Sequence, residues 1–287
     1  MSYNKIVIEK RLRKFLQEDC NFWDVSAVCI PEDAKVTAKI IAKSRGYVSG
    51  LHELKILYNI LNVSTSFFIK DGEAFKEGDI IAELGGSARD ILMGERTGLN
   101  LITHMSSITT TTRKYVDIIK KSGKNVKIAC TRKTLPGLRI FEKKAVNLAG
   151  DLADTHRFSL DDMILLKDTH LKYYDGDIEK LLRDVKKKAS FSKKIEIEIE
   201  KVDDVLIAAK NGADIIMLDN MNSDQVKRAI ELLKKENLRD SVLLEVSGGI
   251  NLKNINAYLA QDAPDIISSS GLTQFPSEKV DLSLRFD

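Results

Sequence analysis

Ile215-Ile216-Met217-Leu218-Asp219-Asn220 runs four apolar residues straight into an acid, without the polar alternation of a half-solvated strand. A strand apolar on both faces belongs inside a parallel sheet covered by helices. Working outward, a helical pattern covers residues 223–235 and a second buried-type strand covers 242–247. Strands at 126–131, 163–167, 194–200 and 266–270 and helices at 177–189, 202–211 and 252–259 continue the alternation. Ordered βα repetition implies a parallel sheet, and six or seven units in roughly 170 residues point to a barrel; fewer than eight clear strands make it irregular and incomplete. The chemistry of such a barrel lies at the C-terminal ends of its strands.

The preceding residues read differently. Residues 1–20 and 51–61 are helical in pattern, 36–42, 66–69 and 80–84 are β-rich, and 91–103 forms a further helix. Lys70-Asp71-Gly72-Glu73 and Lys76-Glu77-Gly78-Asp79 space two glycine turns around a short apolar pair. That rhythm also occurs in lipoyl and biotinyl carrier domains, so a carrier or binding module stands as a second function class. It lacks the lysine at a hairpin tip, in a Met-Lys or Asp-Lys-Ala setting, that a carrier needs.

The 287 residues allow roughly two domains of about 100–200 residues each. Forty-five Lys and Arg against 42 Asp and Glu leave +3, too balanced to argue for nucleic acid or an anionic membrane. No run approaches the roughly 18 apolar residues of a membrane span. Residues 1–13 lack a signal-peptide pattern, so the expected address is cytoplasmic. Cys20, Cys29 and Cys130 form no CxxC and are read as reduced thiols, and the four histidines have no metal-motif spacing.

The strand ends are polar. Thr131-Arg132-Lys133-Thr134-Leu135-Pro136-Gly137 follows one strand, His156-Arg157 lies in the next loop, and Lys167-Asp168 ends another. Each charge alone reads equally as a solvated surface group. Together they repel one another unless an anion occupies the cluster. In Ile195-Glu196-Ile197-Glu198-Ile199-Glu200 the period of two puts three carboxylates on one face, expected to point into the barrel mouth, the alternative being a solvated edge strand. Glu198 and Asp219 could hold a magnesium ion or bond sugar hydroxyls, unless Asp219 merely caps the next helix. Ser247-Gly248-Gly249 and Ser268-Ser269-Ser270-Gly271 follow late strands, where backbone N–H groups and a helix N-terminus can cradle phosphate.

These blocks, with Glu95-Arg96-Thr97-Gly98-Leu99-Asn100-Leu101 and Leu138-Arg139, resemble the quinolinate phosphoribosyltransferase family, collinearly and over nearly the whole chain. The resemblance implies an N-terminal α/β sandwich at 1–105, joined by the C-terminal tail 275–287, and an irregular, incomplete α/β barrel at 106–274. It implies transfer from phosphoribosyl pyrophosphate to quinolinate with decarboxylation, giving nicotinate mononucleotide, pyrophosphate and CO2, with Mg2+ and no protein nucleophile. Arg96, Arg132, His156, Arg157 and Lys167 would surround the dicarboxylate. Lys133 would lie near the pyrophosphate, Glu198 and Asp219 near the ribose and metal, and Ser247, Gly248, Gly249, Ser270 and Gly271 near the 5′-phosphate. Lys133, Lys167, Glu198 and Asp219 would be the catalytic set. A homodimer or hexamer of dimers would share each site through Arg96.

Departures from the family pattern fall at Asp151, Thr155, Thr169, Ser270 and Gln274, and Ser107 stands where glycine is usual. They leave open a paralogue acting on another aromatic carboxylate, of the molybdenum-transport-associated type. Glu198 and Leu218-Asp219-Asn220 favour the quinolinate enzyme.

Overall fold

The computed structural model describes residues 4–259 and 262–287. The chain divides into two compact units, the first comprising residues up to Arg113 with Leu135–Gly150 and Pro276–Asp287, the second Lys114–Thr134 with Asp151–Phe275. Residues 135–150, assigned to the barrel on sequence, thus group with the first unit.

In the first unit, helix α1 (Lys5–Asp19) starts at Asn4, whose side-chain oxygen accepts from the Ile6 and Val7 N–H groups. Ile8, Leu12 and Leu16, spaced by four, bury its apolar stripe, and α1 packs on α2 (Leu51–Ile60). Strands β1 (Lys35–Ala42), β3 (Ser64–Phe67), β5 (Ile80–Ser87) and β13 (Leu282–Phe286) form an antiparallel sheet in the order β13-β1-β5-β3. Ala38, Ile40 and Ala42 are buried on one face of β1, as the period of two requires, and Leu282 and Leu284 are buried on β13. The glycine-turn segment is built into this unit. Gly72 and Gly78 take φ of +88° and +89°, β4 (Ala74–Phe75) pairs with β2 (Gly46–Tyr47), and Asp71 accepts from the Leu51 N–H. It forms a two-stranded sheet tied through Asp71 to the start of α2, not a free-standing carrier hairpin.

The helix expected at 91–103 is far longer. α3 (Ala88–Ser122) has 35 residues and runs through the position where the sequence suggested a boundary. Its middle, Ser106 to Thr112, is rich in hydroxyl and β-branched residues that disfavour a helix. Burial overrides propensity because the hydroxyls are used. Thr109 donates to the Ala145 carbonyl, Thr112 to that of Ile108, and Thr110 and Thr111 accept from the backbone of Tyr47 and Glu278. Ser107 donates to the Thr103 carbonyl and accepts from the Val280 N–H, so the departure from glycine there ties in the C-terminal segment. The sequence reading also missed α4 (Arg139–Asn147), which is short and carries its charges at Arg139 and Glu142 to Lys144.

The second unit carries seven parallel strands: β6 (Lys127–Cys130), β7 (Ala153–Asp154), β8 (Ile164–Leu166), β9 (Ile195–Ile199), β10 (Ile215–Asp219), β11 (Leu243–Ser247) and β12 (Ile266–Ser269). Their order is β7-β6-β12-β11-β10-β9-β8, and every pairing is parallel. The connecting helices are α5 (Asp168–Tyr173), α6 (Ile178–Lys188), α7 (Asp204–Lys210), α8 (Ser223–Lys235) and α9 (Ile255–Tyr258). β10 sits centrally, and Ile215, Ile216, Met217 and Leu218 are all buried, as its unbroken apolar run requires.

β7 and β8 follow one another in the chain yet occupy opposite edges, so an unpaired seam lies between them. The sheet curls nonetheless. Five strand steps separate β7 from β9, which would be roughly 24 Å apart in a flat sheet. His156, two residues beyond β7, places Nε2 3.4 Å from Glu196 of β9. An irregular, incomplete barrel is the result. Among the described residues no helix is long and apolar enough to cross a membrane.

Candidate active site

Two adjoining cavities open at the C-terminal ends of the parallel strands. One, of about 370 Å³, is lined by Arg132, Lys133, His156, Arg157, Lys167, Glu198 and Asp219 among others. The other, of about 400 Å³, is lined by Asp219, Asn220, Ser247 to Ile250 and Ser268 to Gly271. Thr131, Lys133, Asp219, Ser247 and Ser268 border both, which makes one cleft with a cationic lobe and a glycine-serine lobe.

The expected cations of this unit meet in the first lobe. Arg157 is nearly buried; burial lowers its pKa, and the adjacent charge of Arg132 lowers it further against the pull of Glu196 and Glu198. Arg132 Nε is buried without a hydrogen bond among the described residues. Two guanidinium groups held this close, one with an unused donor, form a receptor for a planar anion. Lys167 follows β8, and its Nζ lies 2.5 Å from Glu198 Oε1 on β9. Lys167 also starts α5, where its N–H donates to His170 Nδ1, so His170 shapes the turn that presents the lysine. Nothing in the sequence pattern marked that cap.

The carboxylate face of β9 is graded by depth. Glu196 is fully buried, Glu198 is 12% exposed at the rim, and Glu200 lies outside. Asp219 ends β10, whose Met217 registers with Glu198, so both acids face one lobe from neighbouring strands. It does not cap α8. That task falls to Asn222, in a capping box with Gln225. Burial raises the Asp219 pKa, with the charge of Lys167 opposing. Two hard oxygen donors of this kind fit a divalent cation such as Mg2+.

In the second lobe Gly248 and Gly249 have φ of +100° and +65°. A Cβ on Gly248 would lie 2.3 Å from Asn220 Oδ1 and 2.8 Å from its backbone nitrogen, whereas one on Gly249 would meet open space. Asn251 and Asn254 donate to the Gly249 carbonyl and hold the loop open. The helix expected at 252–259 to supply a dipole is only the four residues of α9, so an anion here would depend on the loop itself. Ser269 Oγ donates to the Ile250 carbonyl and accepts from the Gly271 N–H, joining the two loops.

Sequence reasoning put Glu196 on the face turned to the barrel mouth but gave it no role, and gave none to Glu245. Both are fully buried around His156, whose Nε2 is 3.1 Å from Glu245 Oε2 and 3.4 Å from Glu196 Oε2. Burial lowers the His156 pKa, and the two carboxylates work against it. Burial raises Glu196 to about 7, the His156 hydrogen bond opposing and the Glu245 charge adding. Against a second ring proton stands the Arg157 N–H, which donates to Nδ1 at 2.8 Å and so places the imidazole proton on Nε2. The signal available in sequence was an acid inside an apolar strand, at Ile195-Glu196-Ile197 and Leu244-Glu245-Val246.

Arg96 belongs to the first unit, exposed on α3, and makes no ion pair among the described residues.

An incomplete parallel barrel with paired cations, paired acids and a glycine-rich loop at its strand ends defines an α/β protein that binds polyanionic substrates. The chain belongs to the quinolinate phosphoribosyl transferase family: residues 24–106 match its N-terminal domain and 108–285 its C-terminal domain. A Methanothermobacter thermautotrophicus protein named "Probable nicotinate-nucleotide pyrophosphorylase (carboxylating)" is 39% identical over 274 residues, covering 95% of this chain and 96% of its own. The Dictyostelium discoideum nicotinate-nucleotide pyrophosphorylase (carboxylating) is 36% identical over 296 residues, covering 98% and 96%. Among solved structures, NadC from Streptococcus pyogenes superposes with a TM-score of 0.89 at 32% identity, covering 100% of this chain and 99% of its own.

Proposed function

We propose that this chain transfers the phosphoribosyl group of phosphoribosyl pyrophosphate to quinolinate and decarboxylates the product, releasing nicotinate mononucleotide, pyrophosphate and CO2. The observation that carries the reading is the convergence of Arg132, Arg157 and Lys167 on one lobe of a cleft whose other lobe is the Gly248-Gly249 loop. A dianion beside a phosphosugar uses both lobes.

Arg132, Arg157 and Lys167 hold the pyridine dicarboxylate with N1 toward the sugar, and Arg96 of a neighbouring subunit completes its enclosure in a homodimer. Ser247, Gly248, Gly249, Ser270 and Gly271 take the 5′-phosphate, and Lys133 neutralises the departing pyrophosphate. Glu198 and Asp219 would hold Mg2+, which would supply charge neutralisation for the pyrophosphate. The same acids stabilise positive charge developing on the ribose. N1 forms a bond to the anomeric carbon as pyrophosphate leaves with its bonding pair. The ring nitrogen is then cationic, so the pair left at C2 when CO2 departs is stabilised beside it before a proton from solvent replaces the carboxylate. Positioning and electrostatics supply the rate. The reading puts the chain in the cytoplasm, where cysteines outside any disulfide, such as Cys20, Cys29 and Cys130, persist.

The test is nicotinate mononucleotide formation from quinolinate and phosphoribosyl pyrophosphate with Mg2+, with nicotinate as competitor. Product from quinolinate alone is expected. No product, or equal use of nicotinate, rejects the reading, because the second carboxylate would then have no role.

A further inference from the structure

His156 lies where β7 and β8 fail to pair, and its ring reaches across the barrel interior to β9 and β11. Its backbone is left-handed at φ +49°, a conformation costly for a residue with a side chain, and its N–H is fixed by Asp154 Oδ1 at 2.7 Å. A neutral imidazole offers one donor and one acceptor. Both are spent: Nε2 on the two glutamates and Nδ1 on the Arg157 N–H. No ring position is left for a substrate carboxylate.

The glutamates tell the same story from their side. Both are fully buried; Glu196 Oε2 has His156 Nε2 at 3.4 Å, while Glu196 Oε1 and Glu245 Oε1 have no hydrogen bond among the described residues. Buried carboxylates short of donors destabilise a fold strongly. Their arrangement around one ring therefore calls for a use.

We propose that Glu196 and Glu245 are positioning residues that lock His156 across the open seam, and that His156 acts through its Nδ1 contact to align Arg157 instead of binding substrate itself. Arg157 is the next residue, nearly buried, with its guanidinium steadied by the Met163 carbonyl at 3.3 Å. The strut thus sets one of the two guanidinium groups of the anion receptor. The inference rests on the proposed function for its ligand and its kinetic readout, and not for the response of the ring to Glu245→Gln.

The experiment has two arms. In the first, 15N-histidine-labelled parent protein is titrated with pyridine-2,3-dicarboxylate while the His156 ring signals are followed. The Nε2 proton should exchange slowly, hold its position on ligand addition, and move upfield in Glu245→Gln. A ring signal that shifts on saturation as a direct ligand's would, or one indifferent to Glu245→Gln, overturns the proposal. In the second arm, Glu196→Gln and Glu245→Gln should raise KM for quinolinate about tenfold. KM for phosphoribosyl pyrophosphate should stay within about twofold, with melting temperatures at or above the parent's. His156→Gln, which keeps a donor toward the glutamates, should retain more affinity than His156→Ala. Equal losses in those two, or equal KM changes for both substrates, overturn it. So does a tightly bound metal in the purified parent that is lost in Glu196→Gln, since these three side chains are the one three-donor cluster among the described residues. If the parent makes no nicotinate mononucleotide, the proposed function fails, while the shift of the ring signal in Glu245→Gln still decides the strut.

Discussion

At the scale of single residues, position within the cleft separates side chains that serve stability from those that serve chemistry. Glu198 and Asp219 sit at strand ends on the cavity wall, only partly buried, so neither is a packing element. Glu198→Gln and Asp219→Asn should each lower turnover about a hundredfold or more while leaving the melting temperature near the parent's. A variant that melts much earlier yet keeps its turnover would make these acids structural. Gly248 is the opposite case. Alanine there would have φ +100° and drive its Cβ into Asn220, so Gly248→Ala should lose at least about 1–2 kcal/mol by denaturant unfolding. KM for phosphoribosyl pyrophosphate should rise with it. Gly249→Ala, whose Cβ meets open space, should lose less. Ser270 borders the same lobe where the family carries glycine, so Ser270→Gly should lower KM for phosphoribosyl pyrophosphate. An unchanged or higher value would show that the side chain does not hinder backbone approach.

At the scale of elements, what could be read from sequence follows from which forces are local. β10 and β9 were legible because an apolar run and a strict alternation state burial directly, and α8 because of its apolar periodicity, although its cap is Asn222 and not Asp219. The length of α3 was not, since its hydroxyl run turns helical only once distant backbone groups from β2, α4 and the C-terminal segment satisfy the side chains. β7, at two residues, carries too little pattern to announce an edge, yet it defines the seam that His156 spans. Hence Arg132, Lys167, Glu198 and Asp219 were recognisable as strand-end charges, while Glu196 and Glu245 became visible only when the curled sheet brought their strands to one ring. The C-terminal strand gives a test at this scale. β13 pairs with β1 over five residues, from Ala42 opposite Leu282 to Ala38 opposite Phe286, and buries Leu282 and Leu284. Deleting Leu282–Phe286 should lower the melting temperature by several degrees and raise amide exchange along β1. Unchanged exchange there would show that the strand only decorates the edge.

At the scale of the whole molecule, Arg96 poses the remaining question. Side chains three or four positions apart meet on a helix, and around Arg96 those positions hold Leu92, Met93, Leu99 and Asn100, so its own helix face offers it no carboxylate. Arg96 pairs with neither Glu95 nor Asp90 among the described residues. A cation kept unpaired on the first unit, in a family member whose proposed substrate is a dianion, fits a role completed by a second copy of the chain. A two-fold dimer would then hold two equivalent composite sites. Arg96→Ala and Lys167→Ala should each reduce turnover about a hundredfold or more, since each removes a cation facing a desolvated carboxylate. Mixing the two inactive proteins under conditions of subunit exchange separates the alternatives. In a hybrid dimer, sharing puts both defects into one site and leaves the other intact, so a statistical mixture should recover about a quarter of the parent activity. If Arg96 serves its own chain, every site in the hybrid keeps one defect. Activity would then stay at the level of the single variants despite demonstrated exchange, and the shared site would be rejected.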